Sequence, residues 1–78
     1  MLPNTLSEIA TAVKRRREVL RITQEHLASV SKVALRTIRE VEQGTGNPSL
    51  ETLVRLFEVL GLELKINVQA KGLSMLTD

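Results

Sequence analysis

At 78 residues the chain holds one small domain, with a core that is marginal unless something else is buried with it. Eleven Lys and Arg against nine Asp and Glu leave a net charge of +2, the 42% hydrophobic share is that of a globular protein, and the lack of cysteine excludes disulfides and thiolate metal sites. There is no apolar run of membrane-spanning length and no signal peptide, so a soluble, cytoplasmic protein is expected.

Thr5 and Glu8 have the spacing of a capping box, which predicts a first helix from about residue 6 to residue 20. Its apolar stripe is Leu6, Ile9, Ala10, Val13 and Leu20, and Arg17 takes the place between Val13 and Leu20. A cation on a core face needs a partner, because an unpaired buried charge is strongly destabilising. Thr23 is placed to cap a second helix that begins with Gln24 and Glu25, and its amide-rich start also favours an anion. A connection over residues 29–33 leads to a third helix, through Ile38 to Gln43, ended by Gly44. With Ile38 pointing inward, the helical period sets Val41 and Glu42 beside it and turns Arg36, Arg39, Glu40 and Gln43 outward. Glu42 is therefore the expected partner of Arg17. Pro48 and Ser49 mark the start of a fourth helix whose inner stripe is read as Leu50, Leu53, Val54, Phe57 and Leu60, with Gly61 as its C-cap.

The outward face of the third helix is polar and rich in donors. An arginine can make a bidentate pair with guanine in the major groove, Gln43 can reach a phosphate, and an aliphatic group can touch a thymine methyl. Positive charge is concentrated at Lys14, Arg15, Arg16, Arg17 and Arg21, with Lys32, Arg36 and Arg39 following, and such local patches matter more for nucleic acid than the total charge. Arg15 and Arg16 are read as a solvated face of the first helix. Phe57 is the single aromatic, which argues against single-stranded readers that stack bases on several rings and favours duplex DNA. One histidine, His26, no glycine-rich phosphate loop and no paired carboxylates leave no catalytic constellation, so neither enzyme activity nor a cofactor or metal is expected.

Arg17, Thr23-Gln24, Leu27-Ala28, Val33, Ile38, Glu42, Gly44 and Pro48-Ser49-Leu50 together resemble the Xre family of helix-turn-helix proteins, over roughly residues 6–62. The resemblance implies a mainly α, four- to five-helix, lambda-repressor-like DNA-binding domain over residues 1–61. It also implies a buried Arg17–Glu42 pair, a phosphate contact from Gln24, and base-reading positions at Ala34, Leu35, Arg36 and Arg39, with Thr37 near the DNA backbone. Arg36 is then the leading candidate for a guanine and Leu35 for a thymine methyl. Two residues depart from the family pattern. Lys32 stands where glycine is usual at a turn that often needs positive φ, and Ala34 replaces the usual serine or threonine cap, so Ser31 is considered as the cap of a slightly longer helix. The loop after Gly44 has no basic residue, which shifts the expected affinity onto the two helices and Lys32.

From residue 62 to 69 the period changes: Leu62, Leu64, Ile66 and Val68 alternate with Glu63, Lys65, Asn67 and Gln69, the pattern of a half-buried β-strand. A strand without a partner leaves backbone groups and apolar side chains uncovered, so pairing with the same strand of a second molecule is expected. The alternatives are an amphipathic tail without structure, or a strand that pairs with a different protein. Residues 70–78 are expected to be a flexible tail. A helix-turn-helix domain followed at once by such a strand is similar to HipB-type antitoxins, which implies a homodimeric repressor on a near-palindromic duplex operator with a HipA-like serine/threonine kinase toxin as partner. A stand-alone Xre regulator, and a protein-binding module with vestigial DNA binding, are the competing readings.

Overall fold

The computed structural model describes residues 5–68. Four helices form among these residues: α1 (Thr5–Val19), α2 (Gln24–Ser31), α3 (Leu35–Gln43) and α4 (Leu50–Leu60). The core gathers Val13 of α1, Leu27 of α2, Val33 from the α2–α3 turn, Ile38 and Val41 of α3, and Leu56, Phe57 and Leu60 of α4. Leu27, Ile38, Leu56 and Leu60 are fully buried, so each helix contributes a side chain that no water reaches, Val13 serving for α1.

The helix ends follow from local chemistry. Thr23 Oγ accepts from the His26 amide at 2.9 Å, which caps α2 as the sequence predicts, and Ser49 Oγ accepts from the Thr52 amide at 3.1 Å, which caps α4 where Pro48 and Ser49 mark its start. At the end of α1 the Ile22 amide reaches back to the Arg17 carbonyl at 3.2 Å and the Arg21 amide to Glu18 at 3.1 Å, with Arg21 left-handed at φ 58°. That is a Schellman closure made without glycine. It ends α1 at Val19 and leaves Leu20 exposed, which removes Leu20 from the expected core stripe. Gly44 and Gly61 close α3 and α4 in the same left-handed conformation.

Several expectations are corrected by the packing. α2 continues to Ser31, so the connection to α3 is Lys32, Val33 and Ala34 and not residues 29–33. Ser31 does not cap α3: its hydroxyl donates to the Leu27 carbonyl at 2.6 Å and accepts from the Val33 amide at 3.3 Å, sealing the buried side of the turn. On α4 the inward face is Leu53, Leu56, Phe57 and Leu60, while Leu50 and Val54 are exposed. The apolar residues of α4 cover more than one face, and the approach of α1 and α2 decides which of them is buried.

Residues 62–68 form no strand among the described residues. Leu62 turns back on its own core, its amide bonded to the Phe57 carbonyl at 2.9 Å, so it does not share a free face with Leu64, Ile66 and Val68. A lone chain offers this segment no second edge with which to form a ladder. Gln69, at the end of the expected strand, and the expected tail over 70–78 lie outside the described residues. Among the described residues no helix is long and apolar enough to cross a membrane.

Candidate nucleic-acid interface

The interface is built on a cross-tie between helices. Arg17 Nε donates to Glu42 Oε2 at 2.7 Å and a terminal nitrogen to Oε1 at 3.0 Å, while the other terminal nitrogen donates to the Ile22 carbonyl at 3.0 Å. The side chains are 15% and 4% exposed, so the pair is largely withdrawn from water. Its fork geometry, with an acceptor for each guanidinium nitrogen, is the condition under which a buried ion pair holds its place. The hydrogen bond to Glu42 raises the Arg17 pKa above its ordinary value; burial opposes this, and the negative charges of Glu42, Glu18 and Glu25 add to the rise. Gln24 joins the network through Nε2, which donates to Glu42 Oε1 at 3.1 Å. One carboxylate thus ties α1, the start of α2 and α3 together.

Around this tie the surface is shallow and mostly donor-lined. Lys14, Gln24, Arg39 and Gln43 border a single depression whose floor is Arg17 and Glu42. Three of the expected DNA-binding residues, Gln24, Arg39 and Gln43, are thus brought together on one surface. Lys14 belongs with them, although the sequence placed it only within a basic cluster. Its position three residues before Arg17, on the neighbouring turn of the same helix, was the available signal. Gln24 spends one amide proton on Glu42 and keeps a second donor for an anion.

The other expected residues sit along α3 and the turn before it. Lys32 is exposed at the C-cap of α2, left-handed at φ 63°, its amide bonded to the Ala28 carbonyl at 3.0 Å. The turn does demand the positive φ that glycine usually supplies. Ala34 is exposed at the N-cap of α3, and among the described residues no side chain bonds to the amides there. Leu35 is half-buried at the first turn of α3. Arg36 is 91% exposed and its Nε lies 3.9 Å from Glu40 Oε2, a contact too long and too wet to hold it. Thr37 is half-buried and borders a second polar cleft with Glu40, Thr45, Asn47, Ser49 and Thr52. Arg39 and Gln43 are exposed on the turns that follow.

Residues 13–67 match the family model described as Helix-turn-helix, more than two thirds of the chain. The chain belongs to the Xre-like Helix-turn-helix family. No curated protein matches it. By their place in the matched region, α2 and α3 are the two helices of the motif, and in helix-turn-helix proteins the second helix is the one that lies in the major groove. The family is one of DNA-binding transcription regulators, and the exposed face of α3 in this chain carries the donors Arg36, Arg39 and Gln43.

One basic residue was misread from the sequence. Arg16 is half-buried, and its Nε donates to the Leu60 carbonyl at the end of α4 at 2.9 Å. Sequence spacing carries no sign of this, because the bond joins residues 44 apart through the packing of two helix ends.

Proposed function

We propose that this chain is a homodimeric, sequence-specific repressor that reads a near-palindromic duplex operator with α3. The observation that carries the reading is the donor-bearing outer face of α3, held at a fixed angle by the Arg17–Glu42 tie. A helix presented in this way sets Ala34, Leu35, Arg36 and Arg39 toward base edges, while Gln24, Lys32 and Gln43 flank it as phosphate donors. Thr37, turned toward the α3–α4 cleft, lies beside the backbone path. Leu64, Ile66 and Val68 supply the dimer contact, since Ile66 and Val68 are 97% and 99% exposed in the single chain and no isolated segment keeps such side chains in water without cost. Two recognition helices would then meet half-sites about 34 Å apart.

The test is selection of duplexes from a random library by the purified protein. A symmetric pair of half-sites one turn apart is expected; enrichment of duplexes that share no motif would overturn the reading. A second reading concerns the partner. The resemblance of the domain and its following segment to HipB-type antitoxins, together with apolar side chains left exposed there, favours an antitoxin that binds a HipA-like kinase and represses its own operon. Copurification of the two proteins from a shared operon checks it, and specific operator binding by a chain with no such neighbour would support the stand-alone regulator.

A further inference from the structure

Arg16 and Arg17 are adjacent on α1, yet they reach opposite parts of the domain. Arg17 grips Glu42 on the recognition helix, and Arg16 donates to the Leu60 carbonyl at the end of α4. Immediately beyond that carbonyl, Gly61 turns the chain at φ 70°, and a Cβ there would meet a terminal nitrogen of Arg16 at 3.4 Å. Gly61 therefore supplies the left-handed turn and leaves room for the guanidinium beside it. Leu62 follows, pinned by its amide bond to Phe57 and its packing on the core, and the exposed segment begins at Glu63. One turn of one helix thus grips both the angle of the reading helix and the point where the C-terminal segment leaves the domain.

We propose that Arg16 is a positioning residue for DNA recognition: it fixes the direction in which residues 63–68 depart and so sets the distance between two recognition helices in the dimer. The inference rests on the dimeric reading above. Arg16 faces the α4 terminus and is tied to a carbonyl, so it acts without touching the nucleic acid. Loosening it leaves each half of the dimer able to read its own half-site while the separation of the two halves becomes less defined. Energy spent re-establishing that separation is lost from paired binding alone.

The experiment uses the full chain with duplexes selected by the wild-type protein, in three forms: paired half-sites, a single half-site, and paired sites with one or two base pairs inserted at the centre. Arg16→Met keeps the aliphatic stem packed and removes the donor. It is expected to weaken paired binding by about threefold to thirtyfold, the range of coupling changes from residues that touch no ligand. Single half-site affinity and the salt dependence should stay as in wild type, and discrimination against the inserted spacings should fall. Arg16→Lys, which keeps a donor for the Leu60 carbonyl, should restore much of the spacing preference. Equal loss on paired and single half-sites, a changed salt slope, or unaltered spacing discrimination would overturn the proposal. If wild type itself does not favour paired over single half-sites, the dimeric reading fails, and the inference with it.

Discussion

In the proposed reading Arg36 meets a base edge and Lys32 a phosphate, two roles that single substitutions separate. Arg36 projects from α3 with only a long contact to Glu40, so moving its guanidinium to a base edge gives up little. Arg36→Ala should cost about 1–3 kcal/mol of operator affinity and relax preference at one base pair, read by repeating the duplex selection with the variant. Gln24→Ala instead should weaken all sequences alike, since it removes a donor that carries no base information and a bond to Glu42. Lys32 carries a backbone strain with its charge. A non-glycine residue held left-handed costs roughly 1–2 kcal/mol, part of which glycine gives back through its larger unfolded-state entropy. Lys32→Gly is therefore expected to raise thermal stability modestly and to weaken DNA binding, with the slope of log affinity against log salt reduced by about 0.9. A higher melting temperature with an unchanged slope would remove Lys32 from the phosphate contacts.

The recognition helix begins without a side-chain cap, because Ala34 has no acceptor to offer and Ser31 is engaged with Leu27 and Val33. Ala34→Asp should stabilise the fold by about 0.5–2 kcal/mol, which is roughly 4–8 °C in melting temperature for each kcal/mol in a domain of this size. The same carboxylate would stand at the DNA-facing end of α3, so affinity should fall as stability rises. A variant that gains both would place Ala34 away from the nucleic acid. The caps at Thr23 and Ser49 and the turns at Gly44 and Gly61 were legible in the sequence because each is decided by one residue and its near neighbours. The Arg17–Glu42 tie was legible for a different reason: a charge on an apolar stripe calls for a partner on another stripe. What was not legible depended on how helices meet. Leu56 displaced Leu50 and Val54 from the core because α4 is apolar around much of its circumference and its rotation is set by α1 and α2. Leu20 was lost to the core because Arg21 takes a left-handed turn that no residue type announced. Arg16 looked like solvated charge because its acceptor is a backbone carbonyl brought close only by tertiary packing. Leu62 was read by alternation with Leu64, Ile66 and Val68, yet the C-terminal turn of α4 claims it for its own domain.

The dimer proposed through residues 62–68 has a register that charge can choose. In an antiparallel pair about a two-fold axis, placing Leu64 opposite its own copy sets Glu63 across from Lys65 of the second chain, and Lys65 across from Glu63. Both pairs fall on the polar face, and Leu64 meets its own copy on the other. Centring on Ile66 instead sets Lys65 against Asn67 and leaves Glu63 without an opposite charge. In the single chain Lys65 lies 3.3 Å from Glu63, both largely exposed, a weak contact between same-face neighbours with which a second copy's charges would compete. Lys65→Glu turns two attractive cross-strand pairs into two repulsive ones, so the dimer should dissociate about tenfold more readily, given about 0.2–1 kcal/mol for each pair. Glu63→Lys together with Lys65→Glu exchanges the partners and should restore the wild-type dissociation constant, while Ile66→Asp should give monomers whatever the charges. Sedimentation measures all three. Restoration in the double variant requires the Leu64-centred register, because no other antiparallel alignment of these residues returns both charges to opposite partners; a double variant as weak as the single one would reject that register and, if Ile66→Asp also stayed dimeric, would move the interface off this segment altogether.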